Sequence, residues 1–187
     1  MTVDFPNKHF LINGEWVCSN TEIDLINPST GDVIAQVSEA NDEHVNDAVG
    51  VAKDTLENTW KNITARERST LLSTLGRLIE ENYDVLASLE ATDVGKPLRQ
   101  AQADVKALAR YMEFYAGAAD KLHGDTIPYL KDYTVYTLRE PHGVCAHIIP
   151  WNYPMQIIGR SVGAALATGN TCILKPAEEA CLTALAF

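Results

Sequence analysis

Two short apolar runs with a helical pattern between them organise the carboxyl-terminal part of the chain. Residues 144–149 form the first run, which stops at Pro150 and is typical of a strand buried on both faces. Apolar residues then recur at helical spacing until Gly169, where a left-handed cap would end a helix. The second run, 171–174, ends at Lys175. This order predicts a βαβ unit with a right-handed crossover, and therefore an α/β fold with a parallel sheet.

A helical section precedes this unit. Apolar positions at helical spacing predict one helix after Asn41, a second after Thr64, a third over 82–94 and a fourth over about 98–122. Thr64 and Glu67 have the spacing of a capping box, in which each side chain satisfies a free backbone N–H group. The acidic residues of these helices are interpreted as parts of solvated faces: Glu90, Asp93 and Asp104.

Short β elements lie on either side of the helical section. Asn13–Gly14 between two apolar runs predicts a type I′ hairpin, and two more strands are expected at 22–26 and 33–37. Further along, 124–128 is predicted to be a turn and 133–139 alternates as a strand does. The residues alone allow this last hairpin to be an antiparallel edge of the same domain.

Composition narrows the classes of function. The chain has 187 residues and a formal net charge of -10, which argues against a nucleic-acid partner because such binding depends on neutralising phosphates. Arg160 interrupts the most apolar stretch, so no membrane span is predicted, and residues 1–10 lack the features of a signal peptide. Free cysteines are expected, as in a reducing compartment, at Cys18, Cys145, Cys172 and Cys181. A cytoplasmic protein is the resulting expectation.

Common ligand motifs are absent from the sequence. No G-x-G-x-x-G or Walker phosphate loop occurs. His142, Cys145 and His147 do not supply the four ligands of a closed zinc site, so no metal is predicted. Gly159 and Gly163 are interpreted as small residues that allow close packing of the crossover helix on the sheet.

The ends of the two predicted strands carry the candidate chemistry. Asn152 follows the first strand, and a rigidly held amide NH2 group can stabilise an oxyanion on a carbonyl carbon under attack. Lys175 ends the second strand. Glu178 is expected at a helix start, where the helix dipole favours a carboxylate. A carboxylate near a strand end also suits the paired hydroxyls of an adenosine ribose. The alternative is that Asn152 makes a turn, Lys175 is solvated and Glu178 caps a helix.

Three ordered blocks give these residues a context: IPWNYP at 149–154, GAALATGN at 163–170 and KPAE at 175–178. Together with NPSTG at 27–31 and GKP at 95–97, they resemble the NAD(P)-dependent aldehyde dehydrogenase superfamily. The resemblance implies that Asn152 is the oxyanion-hole amide and that Lys175 and Glu178 contact the adenosine ribose of NAD. It also implies that neighbouring apolar residues form the wall of the cofactor site: Ile148, Ile149, Pro150, Trp151 and Pro176.

The same resemblance predicts the domain organisation. Residues 1–118 would begin a cofactor-binding domain, 119–141 would form a bridging hairpin used in oligomerisation, and 142–187 would start a Rossmann-type core with only its first strands. The family's nucleophilic cysteine and general-base glutamate would lie downstream of Phe187. The chain is therefore expected to be an amino-terminal portion that is inactive alone and prone to associate.

For the full-length protein, the resemblance implies oxidation of a small-molecule aldehyde to a carboxylic acid by a homo-oligomer, either a dimer or a tetramer. Two other functions stay open at this point. One is a non-catalytic module that retains only packing of the cofactor half or an assembly role. The other is an acylating or semialdehyde dehydrogenase that passes its thioester to coenzyme A or phosphate.

Overall fold

The structure is a computed structural model that describes residues 9–187 of the chain. The interpretation of residues 1–10 as lacking a signal peptide falls almost wholly outside the described residues. Within 9–187 the fold class is α/β, with a short parallel sheet, a preceding helical section and three antiparallel hairpins.

The first two hairpins follow the sequence pattern closely. β1 (Phe10–Ile12) and β2 (Glu15–Val17) are joined by Asn13 and Gly14, whose φ angles of 55° and 78° are those of a type I′ turn. β3 (Glu22–Ile26) pairs with β4 (Val33–Ser38) in antiparallel register. The inward side chains of this second hairpin form a small core with residues of the later helices 83–94 and 182–186 and with the residue before the last helix. The members are Leu25, Ala35, Val37, Leu89, Cys181 and Leu182.

Four helices build the middle of the chain. α1 (Asp42–Asn58) begins at the cap residue Asn41 and is followed by a 3-10 turn (Trp60–Asn62). α2 (Ala65–Glu81) begins with the predicted capping box, since the Thr64 amide donates to Glu67 Oε2 at 2.8 Å. α3 (Tyr83–Val94) ends at Gly95, which has a φ angle of 74°. α4 (Leu98–Ala118) is the central helix of the core, and it packs against α2, α3 and the crossover helix.

The βαβ unit forms as predicted. β7 (Val144–Ile148) and β8 (Thr171–Lys175) are parallel, with α5 (Pro154–Ala167) as the crossover helix, and the short helix α6 (Leu182–Ala186) follows. Cys172 and Leu174 face the main core, whereas the Thr171 hydroxyl donates to the carbonyl of Ala52 in α1. Because side chains alternate along a strand, α1 and α5 lie on opposite faces of this sheet.

The third hairpin is smaller than the sequence pattern indicated. β5 (Thr126–Ile127) lies inside the segment predicted to be a turn, and β6 (Val135–Tyr136) is all that forms of the strand predicted over 133–139. α4 also ends four residues before the predicted end at 122. Both differences have one physical reason, which is that residues 121–142 are almost all exposed and make few packing contacts that could extend either element.

The acidic residues interpreted as solvated are buried, so that prediction is wrong. Glu90, Asp93 and Asp104 have 0%, 2% and 1% of their surface exposed. A buried carboxylate requires hydrogen bonds or an ion pair. Here the partners come from other segments of the chain. Lys96 contacts both Glu90 and Asp104, and the amide of Leu182 donates to Asp93.

The two glycines of α5 pack against a helix, which corrects the expectation of packing on the sheet. A Cβ atom at Gly159 would lie 2.7 Å from Cδ2 of Tyr111, and one at Gly163 would lie 2.8 Å from Cδ2 of Tyr115. Both tyrosines belong to α4. The close approach therefore fixes the distance between α4 and α5.

Candidate functional site

The parallel register brings the two predicted site segments to the same edge of the sheet. Ile148 at the end of β7 pairs with Lys175 at the end of β8, and the Ile149 amide donates to the Lys175 carbonyl at 2.9 Å. The loop carrying Asn152 and the turn carrying Glu178 both leave the sheet from this edge. Ligands of open α/β sheets bind beyond the carboxyl ends of the strands.

Asn152 lies in the loop between β7 and α5, and its side chain is exposed. No hydrogen bond within residues 9–187 uses the Asn152 side chain. Its amide NH2 group is thus available to an external acceptor. The neighbouring Tyr153 is the residue from which α5 begins, and Pro154 occupies the first turn, where its missing N–H is tolerated. The loop is therefore attached directly to the start of a buried helix.

Tyr153 is held from two sides. Nε2 of Gln100 in α4 donates a hydrogen bond to its hydroxyl oxygen at 2.7 Å. The ammonium group of Lys96 lies 4.7 Å from the centroid of its ring, within the range of a cation–π interaction. The side chain next to Asn152 is therefore held to the helical section by one hydrogen bond and one cation–π contact.

Lys96 itself is surrounded by carboxylates. Its Nζ atom lies 2.7 Å from Oε1 of Glu90 and 2.9 Å from Oδ2 of Asp104, and only 7% of its side chain is exposed. We refer to Lys96, Glu90 and Asp104 as the Lys96 cluster. Burial would lower the pKa of Lys96, but its two acidic partners raise that pKa above its usual value. Lys96 is therefore a permanent cation at neutral pH.

The remaining hydrogen-bonding capacity of the cluster is taken up by other helices. Thr183 in α6 donates its hydroxyl proton to Oε2 of Glu90 at 2.8 Å, and Gln156 in α5 donates to Oδ1 of Asp104 at 2.7 Å. Burial raises the pKa of Glu90 despite the nearby cation. The cluster thus connects α3, α4, α5 and α6 at a point close to the Asn152 loop.

Lys175 and Glu178 contact each other at the second strand end. Lys175 Nζ lies 2.9 Å from Glu178 Oε1, and this hydrogen bond lowers the pKa of the Glu178 carboxyl. Both side chains are more than half exposed, so the pair is accessible to a ligand. The expectation that Glu178 lies at a helix start is wrong, because α6 begins at Leu182. A turn closed by a bridge between Ala177 and Ala180 holds Glu178 instead.

The predicted cofactor wall is apolar and largely open. Ile148 has 79% and Trp151 has 59% of its surface exposed, and Pro150 between them is also exposed. Ile149 has only 2% exposed, so its side chain packs into the core. Pro176 is half-buried. Ile148, Pro150 and Trp151 therefore offer an apolar surface to a flat ligand, while Ile149 anchors the strand end.

A cleft of about 520 Å³ lies next to this edge, between β3 and the turn that carries Glu178. Asp93 lines it, and burial raises the pKa of its carboxyl to about 7. Oδ2 of Asp93 accepts from the Leu182 amide at 2.8 Å, while Oδ1 has no partner among the described residues. No group of three or more His, Cys, Asp or Glu side chains within residues 9–187 is arranged to hold a metal ion.

Two of the four cysteines, Cys172 and Cys181, do not supply an activated thiolate at this edge. Burial raises the pKa of both Cys172 and Cys181 to about 12, whereas a nucleophilic thiolate requires a lowered pKa. Cys18 is exposed and follows β2, and Cys145 lies on β7. All four cysteines are free.

Sequence reasoning missed the supports of the site. Lys96, Gln100 and Gln156 were not predicted to have a role, although Lys96 lies between a helix-ending glycine and a proline. That position indicates that Lys96 lies between two helices, so its side chain does not belong to a solvated helical face. The partners of Gln100 and Gln156 lie more than 50 residues away in the sequence, and no local pattern indicates them.

Within residues 9–187, no helix has the length and apolar character needed to cross a bilayer.

Comparisons with known proteins agree with this architecture. The chain is 44% identical to "Aldehyde dehydrogenase family 2 member B4, mitochondrial" from Arabidopsis thaliana, over 98% of this chain but 35% of that protein. A solved structure of a putative aldehyde dehydrogenase from Burkholderia cenocepacia is 52% identical, with a TM-score of 0.93 over 96% of this chain and 38% of that one. An NAD+ complex of aldehyde dehydrogenase from Bacillus cereus is 42% identical, with a TM-score of 0.95 over 99% of this chain and 38% of that one.

The chain thus spans about a third of the length of the relatives that it matches. The sequence pattern of the Aldehyde dehydrogenase family matches residues 16–187, which is most of the chain. Extended similarity in sequence and backbone at these identities is far more specific than any single motif. On these grounds the chain belongs to the aldehyde dehydrogenase family.

Proposed function

We propose that this chain forms part of an enzyme that oxidises an aldehyde to a carboxylic acid with NAD+. The observation that carries the proposal is the shared sheet edge, where a free Asn152 amide and the Lys175–Glu178 pair leave adjacent parallel strands. A similar chain from Bacillus cereus is described as an NAD+ complex. The roles of these side chains follow from their chemistry.

Asn152 would stabilise the oxyanion that develops when a nucleophile attacks the aldehyde carbon. Its amide NH2 group donates no hydrogen bond within residues 9–187, so it can donate to a developing negative charge without breaking an existing contact. The Tyr153 attachment holds the backbone of the loop in place. With buried thiols of high pKa at Cys172 and Cys181, the attacking thiolate would come from elsewhere in the whole enzyme.

The exposed wall and the charged pair fit the adenosine end of a dinucleotide. Ile148 and Trp151 offer apolar surface to the base, and Lys175 and Glu178 can exchange their mutual contact for hydrogen bonds to ribose hydroxyls. The bound nicotinamide would supply the hydride acceptor. A 2′-phosphate would bring negative charge close to Glu178, so we propose NAD+ as the preferred form.

The third hairpin suits a role in assembly. Its aromatic and aliphatic side chains are strongly exposed, with 67% of Tyr129, 67% of Tyr133 and 71% of Leu138 accessible. Clusters of this kind mark interaction surfaces more often than free surface. We propose that residues 119–141 bridge subunits in a homodimer or homotetramer of the whole enzyme.

The decisive experiment replaces Asn152 with Ala in a whole-length enzyme that contains this chain. Loss of one oxyanion donor should lower kcat by roughly a hundredfold to a thousandfold, with little change in the Kd for NAD+. Asn46→Ala is the matched control, since Asn46 is an exposed asparagine on α1 and belongs to neither strand end nor the loop and turn that follow them. Aldehyde-dependent NADH formation that survives Asn152→Ala within a few-fold would refute the donor role.

A further inference from the structure

We propose that Lys96 is a positioning residue for Asn152, acting through the Tyr153 ring and the first turn of α5. The inference rests on the proposed function, because it assigns the buried support of the amide that would stabilise the oxyanion. Lys96 touches neither the aldehyde nor the cofactor in this scheme. It acts only on the placement of the loop that carries Asn152.

Lys96 reaches that loop by two routes. In the first, its ammonium group lies 4.7 Å from the centroid of the Tyr153 ring, and Tyr153 is bonded directly to Asn152 in the chain. In the second, Lys96 holds Oδ2 of Asp104 at 2.9 Å, while Oδ1 of the same carboxylate accepts from Gln156 at 2.7 Å. Gln156 lies in the first turn of α5, immediately after the loop. The Lys96 ammonium group thus contacts Tyr153 directly and holds Gln156 through Asp104, and these two residues flank the start of α5.

The burial of the Lys96 cluster keeps the ammonium group in contact with fixed partners. An ammonium group has three donors and no acceptor, and two of those donors are directed to Glu90 and Asp104. The Tyr153 ring lies within cation–π range of the same group. Because 7% of the Lys96 side chain is exposed, water competes little for any of these contacts.

The exposed residues of the loop have no comparable support. Trp151 and Asn152 are exposed, and neither side chain takes part in a hydrogen bond within residues 9–187. The position of the Asn152 amide therefore depends on Tyr153 and on the start of α5. Displacement of a catalytic group by about 1 Å can reduce the rate about a hundredfold, so modest loosening of this support has a measurable effect.

The first test is Lys96→Met in a whole-length enzyme, compared with Lys106→Met. Lys106 is a matched control, because its ammonium group also lies over a tyrosine ring, that of Tyr83 at 5.7 Å, on an exposed part of α4. We expect Lys96→Met to lower kcat by about tenfold to a hundredfold, with the Kd for NAD+ changed less than about twofold. Lys106→Met should leave both quantities unchanged. Equal effects of the two variants, or an intact kcat in Lys96→Met, would overturn the proposal.

A second pair of variants leaves the buried ion pairs of Lys96 intact, so no buried charge loses its partner. Tyr153→Phe keeps the ring over Lys96, whereas Tyr153→Leu removes it. We expect kcat within about threefold of wild type for the first variant and a larger loss for the second, though no greater than that of Lys96→Met, because the Asp104–Gln156 contact remains. The double variant Lys96→Met/Tyr153→Leu should lose no more than the larger single effect. Additive losses would show that Lys96 does not act through Tyr153.

Hydrogen–deuterium exchange separates this inference from the proposed function. The peptide covering 149–158 should exchange faster in Lys96→Met than in Lys106→Met, whether or not the enzyme oxidises aldehydes. Unchanged exchange in that peptide would overturn the positioning role even if the enzyme is active. A wild-type enzyme that forms no NADH with any aldehyde would refute the proposed function while faster exchange still supported the structural link.

Discussion

The close contact of Gly159 with α4 predicts how much an added methyl group at this position destabilises the fold. In Gly159→Ala, the new methyl group would lie 2.7 Å from Tyr111 Cδ2, 3.1 Å from Tyr111 Cβ and 3.2 Å from Leu108 Cδ1. The Tyr111 Cβ atom is fixed to α4 and cannot swing away, so the two helices must separate. Overpacking of this kind destabilises by about 1–3 kcal/mol. Alanine also recovers about 1 kcal/mol of helix propensity relative to glycine.

Gly50→Ala isolates the packing effect. Gly50 also lies in the interior of a helix, α1, but a Cβ atom there meets nothing within 4 Å. Both variants gain a similar helix propensity, so the difference between them is the overpacking of about 1–3 kcal/mol. For a unit of this size, that difference corresponds to about 2–12 °C in Tm. The assay is thermal unfolding followed by far-UV circular dichroism, and equal Tm values for the two variants would refute the close packing of α4 and α5.

Three other experiments, two substitutions and one chemical labelling, test the site and the packing around it. Glu178→Gln should narrow the preference for NAD+ over NADP+ in kcat/KM by about fivefold or less, because the carboxylate is exposed and its repulsion of a 2′-phosphate is screened by water. Cys172 and Cys181, with pKa values raised to about 12, should resist alkylation by iodoacetamide at a mildly alkaline pH, as followed by peptide mass spectrometry. Arg68→Met should reduce the free energy of unfolding by about 2–5 kcal/mol in urea titrations, because the guanidinium donates to the carbonyls of Ala167 and Ile63.

Each change has a matched control in the same chain. Glu179→Gln alters an exposed neighbour and should leave the cofactor preference unchanged, so an equal shift would remove Glu178 from the ribose site. Cys18 is exposed and should be alkylated first, and early labelling of Cys181 would contradict its burial. Arg77 pairs with Glu81 on the surface of α2, so Arg77→Met should change stability by less than about 1 kcal/mol.

Local chemistry explains which elements could be predicted from the sequence. The Asn13–Gly14 turn and the Thr64–Glu67 capping box depend on residues within three positions of each other, and both form as expected. The strand ends could also be placed, because proline and lysine close the two apolar runs. The position of Asn152 at the carboxyl edge of the sheet follows from that placement alone.

The parts that could not be predicted depend on distant partners. Glu90 has the sequence context of a solvated helical residue, yet Thr183 donates to it from 93 residues away. Gly159 has the context of a residue packed on the sheet, yet its neighbour is Tyr111. The pattern after β8 predicts a helix that starts at Glu178, yet a turn closed by the Ala177–Ala180 bridge holds Glu178, and α6 begins only at Leu182, which packs in the small core of the second hairpin. In each case tertiary packing overrides a local pattern.

The order in which the chain is synthesised determines when the Lys96 cluster can be completed. Glu90 and Lys96 leave the ribosome together and can pair at once, whereas the hydroxyl of Thr183 follows Glu90 by 93 residues. At roughly 5–20 residues per second, that interval is roughly 5–20 s. Until Thr183 arrives, one oxygen of a carboxylate destined for the interior depends on water. The nascent helical section therefore stays hydrated at this point, and docking of α6 completes its desolvation.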